Sequence, residues 1–124
     1  MLLTLLQAKI HRATVTQTDV DYHGSITLDR RLLAASGLLT NQVVTIADLE
    51  NGNRFETYII PGELGSGVVG INGAAARLTK VGNRVIIMAF VQVQAEQAAK
   101  HVARVLLVDD KNRPTQTIEQ QTQL

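Results

Sequence analysis

The dipeptide Gly24-Ser25 is the part of this sequence whose residue types could do unusual chemistry. It lies in the stretch Tyr22-His23-Gly24-Ser25, in a chain with no cysteine and with three histidines that lack metal-ligand spacing. Glycine-rich loops of the kinds that bind phosphates or dinucleotides are absent from the sequence. A serine hydroxyl can attack the carbonyl of the preceding glycine, and an electrophile can then be made from the backbone. A Gly-Ser pair alone is usually a turn, so this hypothesis depends on the surrounding residues.

Length and composition predict one domain over residues 1–108, followed by a polar, disordered tail over 109–124. The net charge of +1 comes from twelve scattered basic residues and eleven acidic ones, which argues against a nucleic-acid surface. No stretch approaches the roughly 20 apolar residues that span a bilayer, and no signal peptide is recognisable. We therefore expect a cytoplasmic protein that binds neither membranes nor nucleic acid.

Short strands dominate the predicted secondary structure. Alternating or β-branched runs predict strands over residues 3–16, 25–28, 42–46, 54–60, 68–71, 84–93 and 102–108. Asp29 is the expected N-cap of a helix over 30–36 that Gly37 ends, and Asn51-Gly52 predicts a tight hairpin. A shorter helix is expected after its candidate cap, Asn72, and a helical turn over 95–100. This pattern favours a small, mainly β barrel.

The two-residue period of a strand predicts which side chains share a face. In the first strand it places Lys9, His11 and Ala13 on one face and Ile10 and Arg12 on the other. In the strand over 54–60, it predicts that one face carries Arg54, Glu56 and Tyr58, and the other Phe55, Thr57 and Ile59.

Four motifs, in the same order, resemble the pyruvoyl-dependent aspartate 1-decarboxylase family over nearly the whole chain, from Met1 to about Val108. They are Leu6-x-x-Lys9-Ile10-His11-x-Ala13-x-Val15, Tyr22-x-Gly24-Ser25-x-x-Leu28-Asp29, Asn51-Gly52-x-Arg54-Phe55-x-Thr57-Tyr58-x-Ile60 and Ile71-Asn72-Gly73-Ala74-Ala75-Ala76-Arg77. Each motif alone is weak, and the combination is specific. The tail matches no motif of the family.

The resemblance implies a double-psi β-barrel that assembles into a homotetramer with active sites between subunits. It implies conversion of L-aspartate to β-alanine and CO2 through a Schiff base with a pyruvoyl group, for pantothenate and coenzyme A synthesis. That group is made from Ser25 when the chain cleaves itself into 1–24 and 25–124, without metal or pyridoxal phosphate. Whether a maturation factor takes part stays open.

The resemblance also assigns roles to individual residues. Ser25 becomes the pyruvoyl group, and Gly24, lacking a Cβ, is expected to hold a strained backbone at the cleavage site. Tyr58 is implied as the proton donor. The residues implied in substrate binding are Lys9, Arg54, Thr57, Gly73, Ala74 and Ala75, and Thr57 is also implied in stabilising the oxyanion. His11 and Asn72 are implied in supporting roles.

Two alternatives remain open at the level of sequence. Small barrels of this kind also occur as non-catalytic binding modules, which would keep an intact chain of 124 residues. A pyruvoyl enzyme for another amino acid, such as glutamate, would carry the same cleavage site. Lys9 and Arg54 favour a dicarboxylic substrate, but they do not fix its length.

Overall fold

A computed structural model describes residues 1–122 of the chain and places them in nine strands and three short helices. The strands are β1 (Leu2–Thr14), β2 (Gln17–Asp19), β3 (Ser25–Asp29), β4 (Val43–Asp48), β5 (Arg54–Gly62), β6 (Val69–Asn72), β7 (Arg84–Gln94), β8 (Val102–Val108) and β9 (Pro114–Gln121). The α-helix α1 (Arg30–Ser36) follows β3, and two 3-10 helices span Gly73–Leu78 and Ala95–Lys100. The prediction of a mainly β fold is confirmed.

The strands form one mixed sheet in the order β2-β6-β3-β5-β4-β7-β1-β8-β9. Long β1 pairs antiparallel with β7 and parallel with β8, while β3 pairs antiparallel with β6 and parallel with β5. Crossovers between strands distant in sequence are therefore built into the sheet, and this topology is compatible with a double-psi β-barrel. No helix among residues 1–122 is long and apolar enough to cross a membrane.

The core is made of aliphatic side chains. The largest fully buried residues are isoleucine, leucine and valine, and most of them come from β1, β3, α1, β4, β5, β6, β7 and β8. In β4 they alternate with more exposed side chains, as at Val44 and Ile46, whereas β6 is buried throughout. A sheet that buries one face fixes the strand register, because a shift by one residue would expose this whole set.

Helix α1 has the predicted boundaries. The Asp29 carboxylate accepts a hydrogen bond from the Arg31 amide at 2.8 Å, and Gly37 ends the helix with φ +81°. Asp29 also accepts the amides of Gly65 (3.0 Å) and Gly67 (2.8 Å), so the cap holds the loop before β6 as well. The cap thereby joins the end of β3 to the glycine-rich loop before β6.

The predicted faces of the first strand are wrong beyond His11. A β-bulge between Ile10 and Ala13 brings Arg12 to φ +64° and shifts the register against β7. As a consequence Ala13 joins Ile10 in the core instead of sharing a face with Lys9. The period-2 rule fails here because a bulge adds one residue to one strand only.

The connection between β4 and β5 is longer than the tight hairpin that Asn51-Gly52 predicts. It comprises residues 49–53, and only Gly52 in this loop has a positive φ, +77°. The Asn51 side chain accepts the Asn53 amide within the loop at 2.9 Å, and it also donates outside the loop, to the Leu78 carbonyl, at 2.9 Å. A tertiary contact has overridden the local preference.

The predicted disorder of residues 109–124 is contradicted over most of that segment. Residues Pro114–Gln121 form β9, which pairs antiparallel with β8 from Val102 to Val108. β-branched side chains at Thr115, Thr117 and Ile118 suit a strand, and β8 offers an unpaired edge to receive it. Residues 123 and 124 lie outside the described part of the chain.

A buried carboxylate, Asp48, organises the loop between β4 and β5. Its two oxygens accept the amides of Glu50 (2.8 Å) and Asn51 (3.3 Å), the Thr79 hydroxyl (2.7 Å) and the Asn83 amide (2.9 Å). Burial by itself would raise the pKa of Asp48, but these hydrogen bonds outweigh it and lower that pKa below 3.8. The carboxylate thus ties the loop before β5 to the end of the first 3-10 helix.

Replacing this carboxylate should cost stability in a pH-dependent way. Asp48→Asn is expected to lower the free energy of unfolding at pH 7 by about 2 kcal/mol, because hydrogen bonds to a charged group are lost. The folded-state pKa is depressed, so this contribution is present at neutral pH and is lost as the pH falls below 3.8 through the folded value. Urea unfolding at pH 7 and pH 3 should show that the difference in free energy of unfolding between the parent and Asp48→Asn is smaller at pH 3. An equal difference at both pH values would contradict this prediction. Asp110→Asn, at an exposed position, is the control.

Candidate active site

Ser25 lies at the start of β3 and is buried, with 1% of its surface exposed. Its Oγ donates to the His23 carbonyl at 3.0 Å and accepts a hydrogen bond from the Asn72 side-chain amide at 3.0 Å. The same amide donates to the Thr27 hydroxyl, also at 3.0 Å. Because Ser25 and Asn72 are opposite each other in the antiparallel pairing of β3 with β6, the backbone brings these side chains together.

Asn72 precedes the first 3-10 helix, but it does not cap that helix with its side chain. Asn72 does hold the predicted N-cap position, but its side-chain amide donates to Ser25 and Thr27 and makes no capping hydrogen bond. Sequence reasoning also missed Thr27. The signal was available, since Thr27 is two residues after Ser25 on a strand and such residues share a face.

Gly24 does not have the strained backbone that the sequence predicted for it. Its φ is not among the positive values found for other glycines of residues 1–122, and a Cβ built on it would meet nothing within 4 Å. The position that only glycine can occupy without strain is instead Gly73, the first residue of the 3-10 helix, which has φ +78°. A Cβ on Gly73 would lie 2.6 Å from the Gly24 Cα.

A cavity of about 340 Å³ borders this group of residues, and its volume is within the usual range for small-molecule sites. It is lined by Gln17, Asp19, Tyr22, Thr27, Ile60, Pro61 and Asn72. A larger cleft of about 670 Å³ lies between α1 and the turn before β9, and it contains none of the predicted site residues. We therefore regard the smaller cavity, which is next to Asn72, as the candidate site.

The remaining predicted residues fall into two groups. Gly73 lies beside Gly24, and the parallel register of β3 with β5, in which Ile26 is opposite Ile59, places the Tyr58 backbone next to that of Ser25. Lys9 and Arg54 are not next to Ser25 within one chain. Lys9 lies on β1 between buried Ala8 and Ile10, so it points away from the core. Arg54 and Tyr58 are exposed on the outward face of β5, as the alternation predicted. Among residues 1–122, no hydrogen bond or ion pair joins Lys9, Arg54 or Tyr58 to Ser25.

The strand register gives the separation of these groups. Lys9 is opposite Met88, Met88 is opposite Thr45, and Thr45 is opposite Glu56, which lies between Arg54 and Tyr58 in β5. Three strand spacings of about 4.8 Å separate the Lys9 and Glu56 backbones by about 14 Å. Thr57 faces inward and is half-buried on the same strand.

His11 is also on β1, beside a separate cavity of about 290 Å³ that Arg12 and Arg84 help to line. Burial, the Lys9 charge and the Arg12 charge together lower the pKa of His11 below 6.5. Its Nδ1 is buried and has no hydrogen-bond partner among the described residues. The neutral imidazole is therefore favoured at pH 7.

No group of three or more His, Asp or Glu side chains in residues 1–122 forms a cluster that could hold a metal ion.

Fold and site together define a small, mainly β protein in which buried Ser25 accepts a hydrogen bond from an asparagine that lines a cavity. The sequence model of the family described as aspartate decarboxylase matches residues 1–115. The chain belongs to this family. The match ends just after β9 begins, so most of β9 lies beyond it.

Similar proteins from several bacteria cover nearly the whole chain. The aspartate 1-decarboxylase of Lactiplantibacillus plantarum is 52% identical over 118 residues, which cover 95% of this chain and 91% of the relative. The aspartate 1-decarboxylase of Caldicellulosiruptor saccharolyticus is 50% identical over 113 residues, which cover 91% of this chain and 88% of the relative. The aspartate 1-decarboxylase of Caulobacter vibrioides is 52% identical over 112 residues, which cover 90% of this chain and 95% of the relative.

The contact between Asn72 and Ser25 can be tested by substitution. Asn72→Ala should fold and should slow any reaction of the Ser25 hydroxyl roughly tenfold, because one hydrogen bond that orients Oγ is lost. Thr27→Val removes the other acceptor of Asn72 but leaves the contact with Ser25, so it is the matched control. The readout is the rate of chain cleavage at the Gly24-Ser25 bond, followed by intact-mass spectrometry. Equal rates in the two variants would remove Asn72 from this role.

Proposed function

We propose that this protein decarboxylates L-aspartate to β-alanine and CO2, a reaction that feeds pantothenate and coenzyme A synthesis. The observation that carries the proposal is about 50% identity to aspartate 1-decarboxylases over nine-tenths of the chain. The buried Ser25, held by Asn72 beside a cavity, supports it from the structure.

The cofactor of the proposed reaction is a pyruvoyl group made from Ser25. The surroundings of this residue fit such a group, since Oγ is buried and accepts from the Asn72 amide, and Asn72 itself lines a cavity. A pyruvoyl group supplies an electron-accepting carbonyl, which is what the loss of CO2 from an amino acid needs. Asn72 would hold the group in place, as it holds the hydroxyl in the precursor.

Formation of that group is a reaction of the chain with itself. The Ser25 Oγ attacks the Gly24 carbonyl carbon, the C–N bond breaks, and the Oγ proton passes to the freed amine, which leaves an ester. Elimination releases residues 1–24 as a carboxylic acid and leaves a dehydroalanine, and water then displaces ammonia to give the pyruvoyl end. We assign stabilisation of the Gly24 oxyanion to the Thr57 hydroxyl, a type of contact worth roughly 3–4 kcal/mol in comparable sites.

The substrate has two carboxylates, and the chain offers suitable donors for both. Lys9 and Arg54 are the proposed cationic partners, Arg54 through a bidentate contact. The peptide N–H groups of Gly73, Ala74 and Ala75 begin a 3-10 helix without a side-chain cap, so an anion can accept from them. We propose that the Tyr58 hydroxyl returns a proton to the carbon that lost CO2 and that His11 has a supporting role.

We propose a homotetramer in which a second subunit completes each site. Lys9, Arg54 and Tyr58 lie on the outward face of the sheet, while Ser25 is buried. The same face exposes the apolar side chains of Val43 (60%) and Phe90 (46%), which an interface would cover. A single chain leaves Lys9 and Arg54 away from Ser25, and a neighbouring subunit can bring these two side chains to it.

The decisive test of the proposed function is the mass of the purified, denatured chain together with an assay. We expect two fragments, 1–24 and 25–124, the larger with a pyruvoyl terminus, and faster release of CO2 from L-aspartate than from L-glutamate. Ser25→Ala should fold with the thermal stability of the parent but neither cleave nor decarboxylate. Decarboxylation by Ser25→Ala would contradict the pyruvoyl cofactor. An intact, inactive parent chain after prolonged warm incubation would favour a binding module.

The role of Tyr58 makes a separate prediction, for which the chain offers a useful comparison because it has only two tyrosines. Tyr58→Phe should still cleave itself and bind aspartate, but kcat should fall by about 100-fold or more, since general acid catalysis typically contributes that much. Steady-state kinetics on the fully cleaved enzyme give this value. If Tyr22→Phe loses kcat and Tyr58→Phe does not, the proton comes from the tyrosine that lines the cavity.

A further inference from the structure

We propose that Gly73 is a positioning residue for self-cleavage, because its missing side chain is what allows the Gly24 peptide to sit where the Ser25 hydroxyl can attack it. The inference rests on the proposed function, since it concerns the same cleavage. It assigns to Gly73 a role in the precursor that is distinct from donating its N–H to a substrate.

The pairing of β3 with β6 places the two glycines against each other. Ser25 is the register partner of Asn72 in this antiparallel pair, so Gly24 and Gly73 are the next residues on either side. A Cβ built on Gly73 would lie 2.6 Å from the Gly24 Cα and 2.9 Å from the Gly24 nitrogen. Carbon atoms in contact are about 3.5–4.0 Å apart, so any other residue at 73 requires a displacement of about 1 Å.

The displacement would fall on Gly24. Gly73 is buried, and the residues before it belong to the sheet, whereas residues 20–24 form an exposed connection. Ser25 would stay in place, because it is buried and its Oγ accepts from Asn72. The Gly24 carbonyl carbon would therefore move relative to the hydroxyl that must attack it, and such a misplacement by about 1 Å can cost about 100-fold in rate.

Positive φ alone does not explain this sensitivity. Gly65 has φ +81°, very close to the φ +78° of Gly73, yet a Cβ on Gly65 would meet nothing within 4 Å. An alanine at 65 therefore carries the backbone strain without the contact, while an alanine at 73 carries both. This pair of positions separates the two effects within one chain.

The experiment compares Gly73→Ala, Gly73→Asn and Gly65→Ala with the parent. Each full chain is synthesised in a translation reaction, so that it begins uncleaved, and intact mass is followed with time at one temperature. Thermal unfolding of each variant is measured in the Ser25→Ala background, in which cleavage cannot interfere. Asparagine at 73 tolerates positive φ better than alanine does but has the same Cβ. If Gly73→Ala does not fold, Gly73→Asn still tests whether a Cβ at this position slows cleavage.

We expect both substitutions at Gly73 to slow cleavage about 100-fold, and Gly65→Ala to cleave within about threefold of the parent even though the backbone strain lowers its Tm. Hydroxylamine, which cuts esters, should release residues 1–24 from the parent and from Gly65→Ala but not from the Gly73 variants, because they are blocked before the ester forms. Because thermal unfolding shows which variants are folded at the temperature of the reaction, absence of the ester in a folded Gly73 variant reports misplaced reacting groups and not lost stability.

Three results would overturn the inference: cleavage of folded Gly73→Asn at the rate of Gly65→Ala, equal slowing of Gly65→Ala, or ester accumulation in the Gly73 variants. Failure of the proposed function is distinguishable from all of these. In that case the parent itself stays intact and makes no β-alanine, whatever residue stands at 73.

Discussion

The antiparallel pairing of β3 with β6 is the constraint on which the candidate site depends. Ile26 and Leu28 of β3 and Ile71 of β6 are fully buried, so the register of the pair is fixed by the core. This register places Ser25 opposite Asn72, so their side chains are within hydrogen-bond distance. The position of the Ser25 hydroxyl therefore depends on the packing of apolar residues one and three positions further along the strand.

Buried polar side chains hold the irregular segments around this frame. Asp29 accepts three amides from α1 and the loop before β6, and Asp48 organises the connection before β5. Asn112 does the same near the C-terminal end, where it exchanges two hydrogen bonds of 2.8 Å with the Thr14 backbone and donates to the Gly67 carbonyl at 2.8 Å. Each side chain satisfies backbone groups that the sheet leaves unpaired, and loops next to the site gain fixed positions.

Patterns with a local physical cause were predictable. The helix from Arg30 to Ser36 has the expected cap at Asp29 and end at Gly37, because both signals act within a few residues. Where a distant partner decides the conformation, prediction failed. The bulge at Arg12 reversed the face of Ala13, and the Asn51 side chain went to the Leu78 carbonyl instead of a tight turn. Strand β9 likewise depends on its pairing with the edge of β8. The availability of that edge cannot be read from residues 114–121 themselves.

The sequence by itself determined the family and the mainly β class, and it singled out Ser25 as the candidate residue, since four ordered motifs and strand periodicity are properties of the linear chain. Only the tertiary structure decided that Asn72 binds Ser25 instead of capping a helix, and that the crowded glycine is Gly73 and not Gly24. The physical reason is that these contacts join residues 47 or more positions apart, and their geometry exists only once β3 and β6 are paired across the sheet.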